Sequence, residues 1–224
     1  MANKISVSVM CSDLMNLALD IRLLEQNMGG VDWLHVDIMD GHFVPNLTFG
    51  PDFPNAMHRV TKLPLDIHLM CEEPEFICSK IDVRAGDMVS THVELNRSLE
   101  KFADDIHAKG AGFGVVVNPD TPIESVAPHL AYIDMVTLML VHPGFAGAKL
   151  VEGILDKVAA MRKWLDERGY SKVLISVDGS VSCERAKLMT EMGANVFVGG
   201  TAGIYRKGMT LEESIPLFRK AITK

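Results

Sequence analysis

The chain has 224 residues, of which 48% are hydrophobic and 23% charged, the proportions of a globular protein and not of a disordered or fibrous one. Its 22 Lys and Arg against 29 Asp and Glu give a formal net charge of −7, which argues against general binding to nucleic acid or to an anionic membrane. The four scattered cysteines form no CxxC pair, the amino terminus is too short and polar for a signal peptide, and no apolar run could span a bilayer. We therefore expect a cytoplasmic protein with no nucleic-acid or membrane partner.

Short apolar runs rich in β-forming residues alternate with amphipathic stretches from one end of the chain to the other. Eight strands are predicted, at residues 5–9, 33–39, 65–70, 88–92, 112–117, 135–141, 173–177 and 196–199. Their centres are almost wholly apolar, which favours a parallel sheet that is covered by helices.

Three helices have a clear apolar face. Asp13 is placed to cap the first helix, whose predicted apolar stripe is Leu14, Leu17, Ala18, Ile21 and Leu24. A helix within residues 150–168 carries Ile154, Val158, Met161 and Leu165 on one face. The last helix begins near Thr210, has Glu213 at the capping-box position and is expected to bury Ile215, Phe218 and Ile222.

The length of the chain fits eight strand–helix units of 28 residues each. A strand, a helix and two short loops of average size need roughly 25 residues, so almost no chain is left over. No linker or low-complexity run divides the sequence. We predict a single-domain (β/α)8 TIM barrel over residues 1–224, and a doubly wound open sheet is the main alternative.

Polar side chains alternate with apolar ones in three of the predicted strands. His35 and Asp37 share a face of the second strand, His68 lies in the third, and Asp178 follows the seventh. Because catalytic residues of such barrels lie at the carboxyl ends of the strands, two histidines and two carboxylates are expected to converge. These side chains suit Zn²⁺ or another first-row divalent ion.

Each of these residues alone has a simpler interpretation, since a strand histidine is usually hydrogen-bonded in a core and an Asp at a strand end usually caps a loop. Their occurrence at three strand ends favours a metal or catalytic site over these interpretations. Asp40 and Asp66 are predicted to have structural roles or to hydrogen-bond the ligands from outside.

Glycine-rich loops follow the last three predicted strands, at residues 142–147, 178–180 and 199–203. Glycine allows backbone N–H groups to approach an anion closely, and the loops after strands seven and eight commonly bind phosphate in this barrel. A phosphate-bearing substrate is therefore expected. Because the net charge is negative, we expect the phosphate to be bound by backbone amides of these loops and not by long-range attraction to basic side chains.

Several segments together resemble the ribulose-phosphate 3-epimerase family. They are HVDIMDGHFVPN at 35–46, LDIHLM at 65–70, SVM at 8–10, PGFAG at 143–147 and VDG at 177–179, in the family's order. The resemblance covers essentially the whole chain. It implies a metal-dependent 1,1-proton transfer at C3 of a ketose phosphate, and a homo-oligomer, either a dimer or a hexamer.

The resemblance also implies the roles of single residues. His35, Asp37, His68 and Asp178 would hold one divalent ion per chain, with Zn²⁺ as the first choice and Mn²⁺, Fe²⁺ or Co²⁺ as alternatives. Asp37 and Asp178 would be the acid–base pair. The implied substrate and phosphate contacts are Ser8, His68, Gly144, Phe145, Ala146, Gly147, Gly179, Ser180, Gly200 and Thr201.

Some positions depart from the family's usual pattern. Four departures lie at the end of the sixth predicted strand and in the loop after it, at Leu140, His142, Ala146 and Ala148. The seventh strand ends in VDGS where VDGG is usual. PGFAG, VDGS and GTAGIY at 200–205 together resemble the allulose-6-phosphate 3-epimerase branch. We therefore favour D-allulose 6-phosphate as the substrate, with D-ribulose 5-phosphate as the alternative.

Two other functions are weighed against epimerisation. A phosphate-binding barrel lyase would usually place a lysine inside the barrel. We expect no lysine at the inward-facing strand positions of this chain, and we expect Lys62, Lys80 and Lys149 to lie in loops or helices. A sugar-phosphate sensor without turnover would be expected to lack one of the two aspartates.

The 14 methionines equal the aromatic residues in number, and most of them are expected to fill gaps in the core. Met39, Met70 and Met139 fall at strand ends beside the predicted ligands. We expect these three to form a wall that keeps water from the reacting centre.

Overall fold

The structure is a computed structural model that describes residues 2–26 and 30–223, and its centre is a closed barrel of eight parallel strands. The strands are β1 (Lys4–Ser8), β2 (Trp33–Met39), β3 (Leu65–Met70), β4 (Met88–His92), β5 (Gly112–Val117), β6 (Met135–Met139), β7 (Leu174–Asp178) and β8 (Val196–Gly199). They pair in sequence order, and β1 closes the barrel against β8. The predicted barrel is confirmed, and the open sheet is excluded.

Helices surround this barrel and connect its strands. They are α1 (Leu17–Gln26), α2 (Asp52–Val60), α3 (Pro74–Cys78), α4 (Glu100–His107), α5 (Asp156–Glu167), α6 (Cys183–Glu191) and α7 (Leu211–Ile222). Three 3-10 helices accompany them in the described part of the chain, at Val9–Cys11, Val93–Leu95 and Ile123–His129. The last of these takes the place of an α-helix between β5 and β6. None of the described helices has the length and apolar character that a membrane crossing requires.

The predicted start of the first helix is wrong. Helix α1 begins at Leu17, because Asp13 accepts the N–H of Met15 and a side-chain hydrogen bond from Asn16 in a turn of its own. Leu14 and Ala18 are consequently exposed, and the buried stripe is reduced to Ile21 and Leu24 with Leu17 half-buried.

The other helix predictions are close to the structure. Helix α5 is shorter than expected and begins at Asp156. Helix α7 begins after Thr210, whose backbone N–H donates to Glu213 in the predicted capping box. Ile215, Phe218 and Ile222 are buried as expected.

Alternate residues of each strand face the interior of the barrel or the surrounding helices. A layer of Trp33, Met88, Met135 and Val196 fills the amino-terminal end of the interior. Lys4, in β1, lies over the Trp33 ring at 4.5 Å, so a strand lysine does lie at this end of the barrel. The expectation of no inward lysine needs this correction, although Lys4 is at the end of the barrel remote from the carboxyl ends of the strands.

The strand register aligns the polar side chains at the other end of the barrel. Asp37 pairs with His68, and Met39 pairs with Met70 across β2 and β3. Asp178 pairs with Met139 across β6 and β7. Because all strands are parallel, these side chains emerge together at the carboxyl ends.

Candidate active site

His35, Asp37, His68 and Asp178 form one cluster, in which Asp178 is partly exposed and the other three are buried. Their ligand atoms lie within 4.8 Å of one another. Asp37 Oδ1 is 3.1 Å from His35 Nε2 and 3.2 Å from His68 Nδ1. Asp178 Oδ2 is 3.7 Å from each of the same two nitrogens. The four residues predicted as ligands are therefore brought together.

His35 is oriented by a carboxylate on its far side. Its Nδ1 lies 2.8 Å from Asp66 Oδ2, and that oxygen also accepts the Ser6 hydroxyl at 2.7 Å. Since a carboxylate accepts hydrogen bonds, the proton of a neutral His35 lies on Nδ1 and its Nε2 lone pair faces the cluster. The geometry agrees with the supporting role predicted for Asp66.

His68 is held on its far side by a second histidine. Its Nε2 lies 2.9 Å from Nε2 of His92, which is fully buried. His92 Nδ1 lies 3.0 Å from Glu94 Oε2. Burial lowers the pKa of His92 to about 4, and His92 in turn holds the pKa of Glu94 at about 2 against the effect of burial.

The pKa values of the two carboxylates in the cluster are shifted in opposite directions. Burial opposes ionisation of Asp37, but His35 and His68 outweigh it and hold the pKa of Asp37 below its usual value. Burial raises the pKa of Asp178, and the neighbouring charge of Asp37 raises it further. Burial also opposes charge on His35, but Asp37 and Asp66 raise its pKa well above 6.5.

The donor set fits a divalent ion of the zinc type. A tetrahedral ion with bonds of about 2.0–2.2 Å places its ligands roughly 3.3–3.6 Å apart. The separations between the histidine nitrogens and the carboxylate oxygens here are 3.1–3.7 Å. Two imidazoles and two carboxylates also suit Mn²⁺, Fe²⁺ or Co²⁺. Buried carboxylates on the outer nitrogen of a ligand histidine, as at His35, are typical of metal sites.

A cleft opens above the cluster at the carboxyl ends of the strands, between the loops that follow them. Asp37 and Asp178 reach it, and Ser8 donates a 3.3 Å hydrogen bond to Asp37. The other predicted site residues in its lining are Met39, Met70, Met139, Gly144, Phe145, Ala146, Gly147, Gly179, Ser180, Gly200 and Thr201. His35 and His68 are buried and do not line the cleft, so the geometry gives no support to the predicted substrate contact of His68.

The loops around the cleft are fixed by specific contacts. Asn46, in the loop after β2, donates its amide to the Gly144 carbonyl at 2.6 Å and so ties that loop to the one after β6. Gly179 has φ +103°, and a Cβ there would lie 2.5 Å from a methyl group of Val141. A larger residue at this position would therefore push the loop into or away from the cleft.

Ser180 has the left-handed backbone conformation without being glycine, with φ +52°. Arg185, in the first turn of α6, donates to the Ser180 carbonyl and, at 2.9 Å, to its hydroxyl oxygen. This pair stabilises an unfavourable backbone conformation on the rim of the cleft.

Several residues of the site were not predicted from the sequence. Met10, Cys11 and Val198 line the cleft, and Cys11 is one of four free cysteines. His92 ends β4, and Glu94 follows it at the same two-residue spacing that separates His35 from Asp37 in β2. This spacing could have indicated the pair.

Comparison with known proteins agrees with this geometry. The sequence profile described as the Ribulose-phosphate 3 epimerase family matches residues 4–204. The chain is 40% identical over 199 residues to the ribulose-phosphate 3-epimerase of Bacillus subtilis (strain 168), covering 89% of this chain and 91% of that protein. It is 38% identical over 200 residues to the chloroplastic ribulose-5-phosphate-3-epimerase of Arabidopsis thaliana, covering 88% and 70%. These names match the five-carbon alternative better and do not support the allulose-6-phosphate branch.

Solved structures of low sequence identity share the fold. KGPDC from Streptococcus mutans superposes with a TM-score of 0.68 at 15% identity, covering 99% of this chain and 98% of that one. Thiamine phosphate pyrophosphorylase from Pyrococcus furiosus gives 0.64 at 12% identity, with 98% and 95% covered. At these identities the likeness concerns the barrel alone.

Proposed function

The chain belongs to the ribulose-phosphate 3-epimerase family, and from that premise we propose that it interconverts D-ribulose 5-phosphate and D-xylulose 5-phosphate by inverting C3. Family membership makes it an epimerase of carbohydrate phosphates, and thus an isomerase. The pentose phosphate pair is the substrate that the names of the relatives support.

The placement of Asp37 and Asp178 supports this reaction most directly. Both carboxylates reach the cleft, and they come from strands that lie three positions apart around the barrel. Inversion requires that one group removes the C3 proton from one side of the substrate and another delivers a proton to the opposite side. Two carboxylates do this in either direction, each acting as base in one direction and as acid in the other.

The C–H bond next to a ketone is far less acidic than a carboxylic acid, so the negative charge that develops on the carbonyl oxygen needs stabilisation. A divalent ion held by His35, Asp37, His68 and Asp178 would supply that stabilisation as a Lewis acid. Asp66 and Ser6 keep His35 in the orientation that this ligand set requires.

The cleft also has the features that a phosphorylated sugar requires. Gly144, Gly147, Gly179 and Gly200 line it, and glycine allows backbone N–H groups to approach an anion closely. Met39, Met70 and Met139 form an apolar wall on the same cleft. We propose that the glycine loops bind the phosphate and that this methionine wall excludes water from the charged intermediate without offering it a proton.

The substrate assignment is tested by measuring kcat/KM for D-ribulose 5-phosphate and for D-allulose 6-phosphate with the metal-loaded protein. The account predicts a higher kcat/KM for the five-carbon substrate. A higher value for D-allulose 6-phosphate would overturn the substrate assignment, and turnover of neither would overturn epimerisation at C3. The identity of the ion and the predicted dimer or hexamer are checked by metal analysis and light scattering of the same sample.

A further inference from the structure

His92 and Glu94 continue the buried cluster away from the cleft. His68 Nε2 faces His92 Nε2 at 2.9 Å, and His92 Nδ1 faces Glu94 Oε2 at 3.0 Å. His92 is fully buried, while 21% of the Glu94 side chain is exposed. Neither residue lines the cleft, so neither is placed to contact the substrate.

His68, His92 and Glu94 form a row of hydrogen-bonded side chains. The positions of the hydrogen atoms in this row follow from which groups can donate and which can only accept. The Glu94 carboxylate can only accept, and its other oxygen accepts the backbone N–H of Asn118 at 2.8 Å. The hydrogen of a neutral His92 therefore lies on Nδ1, and its Nε2 is an acceptor. The 2.9 Å contact then requires that His68 donates from its own Nε2. With a cation bound in the cluster, Nδ1 of His68 therefore carries its lone pair, and this nitrogen faces the same space as Asp37 and Asp178.

We propose that His92 and Glu94 are positioning residues that fix the tautomer of His68, so that Nδ1 of His68 is presented to a divalent cation. This proposal rests on the proposed metal site and is independent of which sugar phosphate the protein converts.

The tautomer of His35 is fixed in the same way, but by a carboxylate with no second imidazole between. There the Asp66 carboxylate contacts the outer nitrogen directly, and the inner nitrogen faces the cluster. At His68 a second imidazole stands between the ligand and its carboxylate, so that the same assignment of hydrogens extends over two rings.

The outer end of the row is anchored by neighbouring elements. The Phe43 ring packs against His92 with a centroid distance of 4.6 Å. Lys157, in α5, donates to the carbonyls of Asn118, Pro119 and Thr121 at 2.6–3.0 Å and so holds the loop whose amide binds Glu94. The acceptor that orients His92 therefore has little freedom to move.

The proposal is tested with Zn²⁺ alone, by competition against a chromogenic chelator without substrate. His92→Leu removes the acceptor for His68 and should weaken Zn²⁺ binding about 10–100-fold. His92→Gln retains an acceptor oxygen near the former Nε2 and should restore most of the affinity. Thr91→Val is the matched control, because Thr91 is equally buried in β4 and its hydroxyl donates to the Leu69 carbonyl.

Nitrogen-15 NMR of the histidine rings supplies a readout that a purely structural role would not change. In the Zn²⁺-loaded parent, the hydrogen of His68 should lie on Nε2. A hydrogen on Nδ1, parental Zn²⁺ affinity in His92→Leu, or a parent chain that binds no Zn²⁺ would overturn the proposal.

Thermal unfolding of the metal-free variants shows whether each one folds. If His92→Leu does not fold, the Zn²⁺ affinity of Glu94→Ala, at the partly exposed end of the row, is measured in its place. A comparable loss of Zn²⁺ affinity supports the proposal, and unchanged affinity overturns it. Failure of sugar-phosphate turnover bears on the proposed function and leaves these binding results unaffected.

Discussion

Asp37 and Asp178 face the same two imidazole nitrogens, at 3.1–3.2 Å for Asp37 and 3.7 Å for Asp178, although they come from β2 and β7. The pKa of Asp37 is lowered and that of Asp178 is raised. The two carboxylates are thus chemically unequal in the metal-free protein, where Asp178 takes up a proton more readily. A cation bound between them would reduce this inequality, since it favours the charged form of both.

Replacing either carboxylate with the isosteric amide should stop proton transfer on its side of the substrate. Asp37→Asn and Asp178→Asn should each lower kcat about 10²–10⁴-fold in both reaction directions, measured with metal-loaded protein. Asp40→Asn is the matched control, because Asp40 lies beyond the same strand and accepts the backbone N–H groups of His42, Phe43 and Glu72 outside the cleft. Near-parental turnover of Asp37→Asn would show that the acid–base assignment is wrong.

Binding of a divalent ion should release a proton from His35. Asp37 and Asp66 overcome the effect of burial and raise the pKa of His35, so the metal-free protein keeps this proton to a higher pH than a free imidazole does. The stability that the protonated form contributes is present below the unfolded pKa and is lost as the pH rises through the folded pKa. Because a metal needs the lone pair on Nε2, binding should release a proton, and the number released per ion should fall as the pH rises.

Calorimetric titration with Zn²⁺ in buffers of different ionisation enthalpy measures this release. Asp66→Asn removes one of the two charges that raise the pKa of His35 and should reduce the number of protons released. Zinc binding whose heat is independent of the buffer would contradict the protonation state assigned to His35.

Arg185 should affect substrate binding more than turnover. Its bonds to the carbonyl and hydroxyl oxygens of Ser180 leave the Ser180 hydrogen free to donate toward a phosphate group in the cleft. Arg185→Met should raise KM for the phosphorylated ketose about tenfold, the effect of losing about 1.4 kcal/mol of charge-assisted hydrogen bonding, with a smaller change in kcat. Lys187→Met, on the exposed side of the same helix, should leave KM unchanged. Equal KM values for the two variants would exclude a role of Arg185 in substrate binding.

The sequence pattern was sufficient to predict the bounds of the strands because most strands are buried on both faces and are therefore apolar along most of their length. Five of the eight predicted strands have the predicted bounds, and the others differ by at most two residues at either end. The start of α1 was not predictable in this way. Asp13 is a good capping residue, but it forms a local turn with Met15 and Asn16, and the helix begins four residues later.

The cluster could be predicted because its residues follow the strand alternation at the carboxyl ends. Spacing along one strand does not show which nitrogen of a histidine faces which neighbour, and this depends on the register between strands. His92 and Glu94 were missed for that reason, since their relation to His68 exists only across β3 and β4. Arg185 was missed because its role follows from the backbone conformation of Ser180.

The most direct test of the central claim is proton exchange at C3. Metal-loaded protein is incubated in D₂O with D-ribulose 5-phosphate, and both epimers are analysed by proton NMR. Transfer by two carboxylates predicts D-xylulose 5-phosphate with deuterium at C3, and Asp37→Asn and Asp178→Asn should each slow this inversion about 10²–10⁴-fold. Formation of the C3 epimer without any solvent deuterium, or no exchange with a substrate shown to be bound, would contradict it.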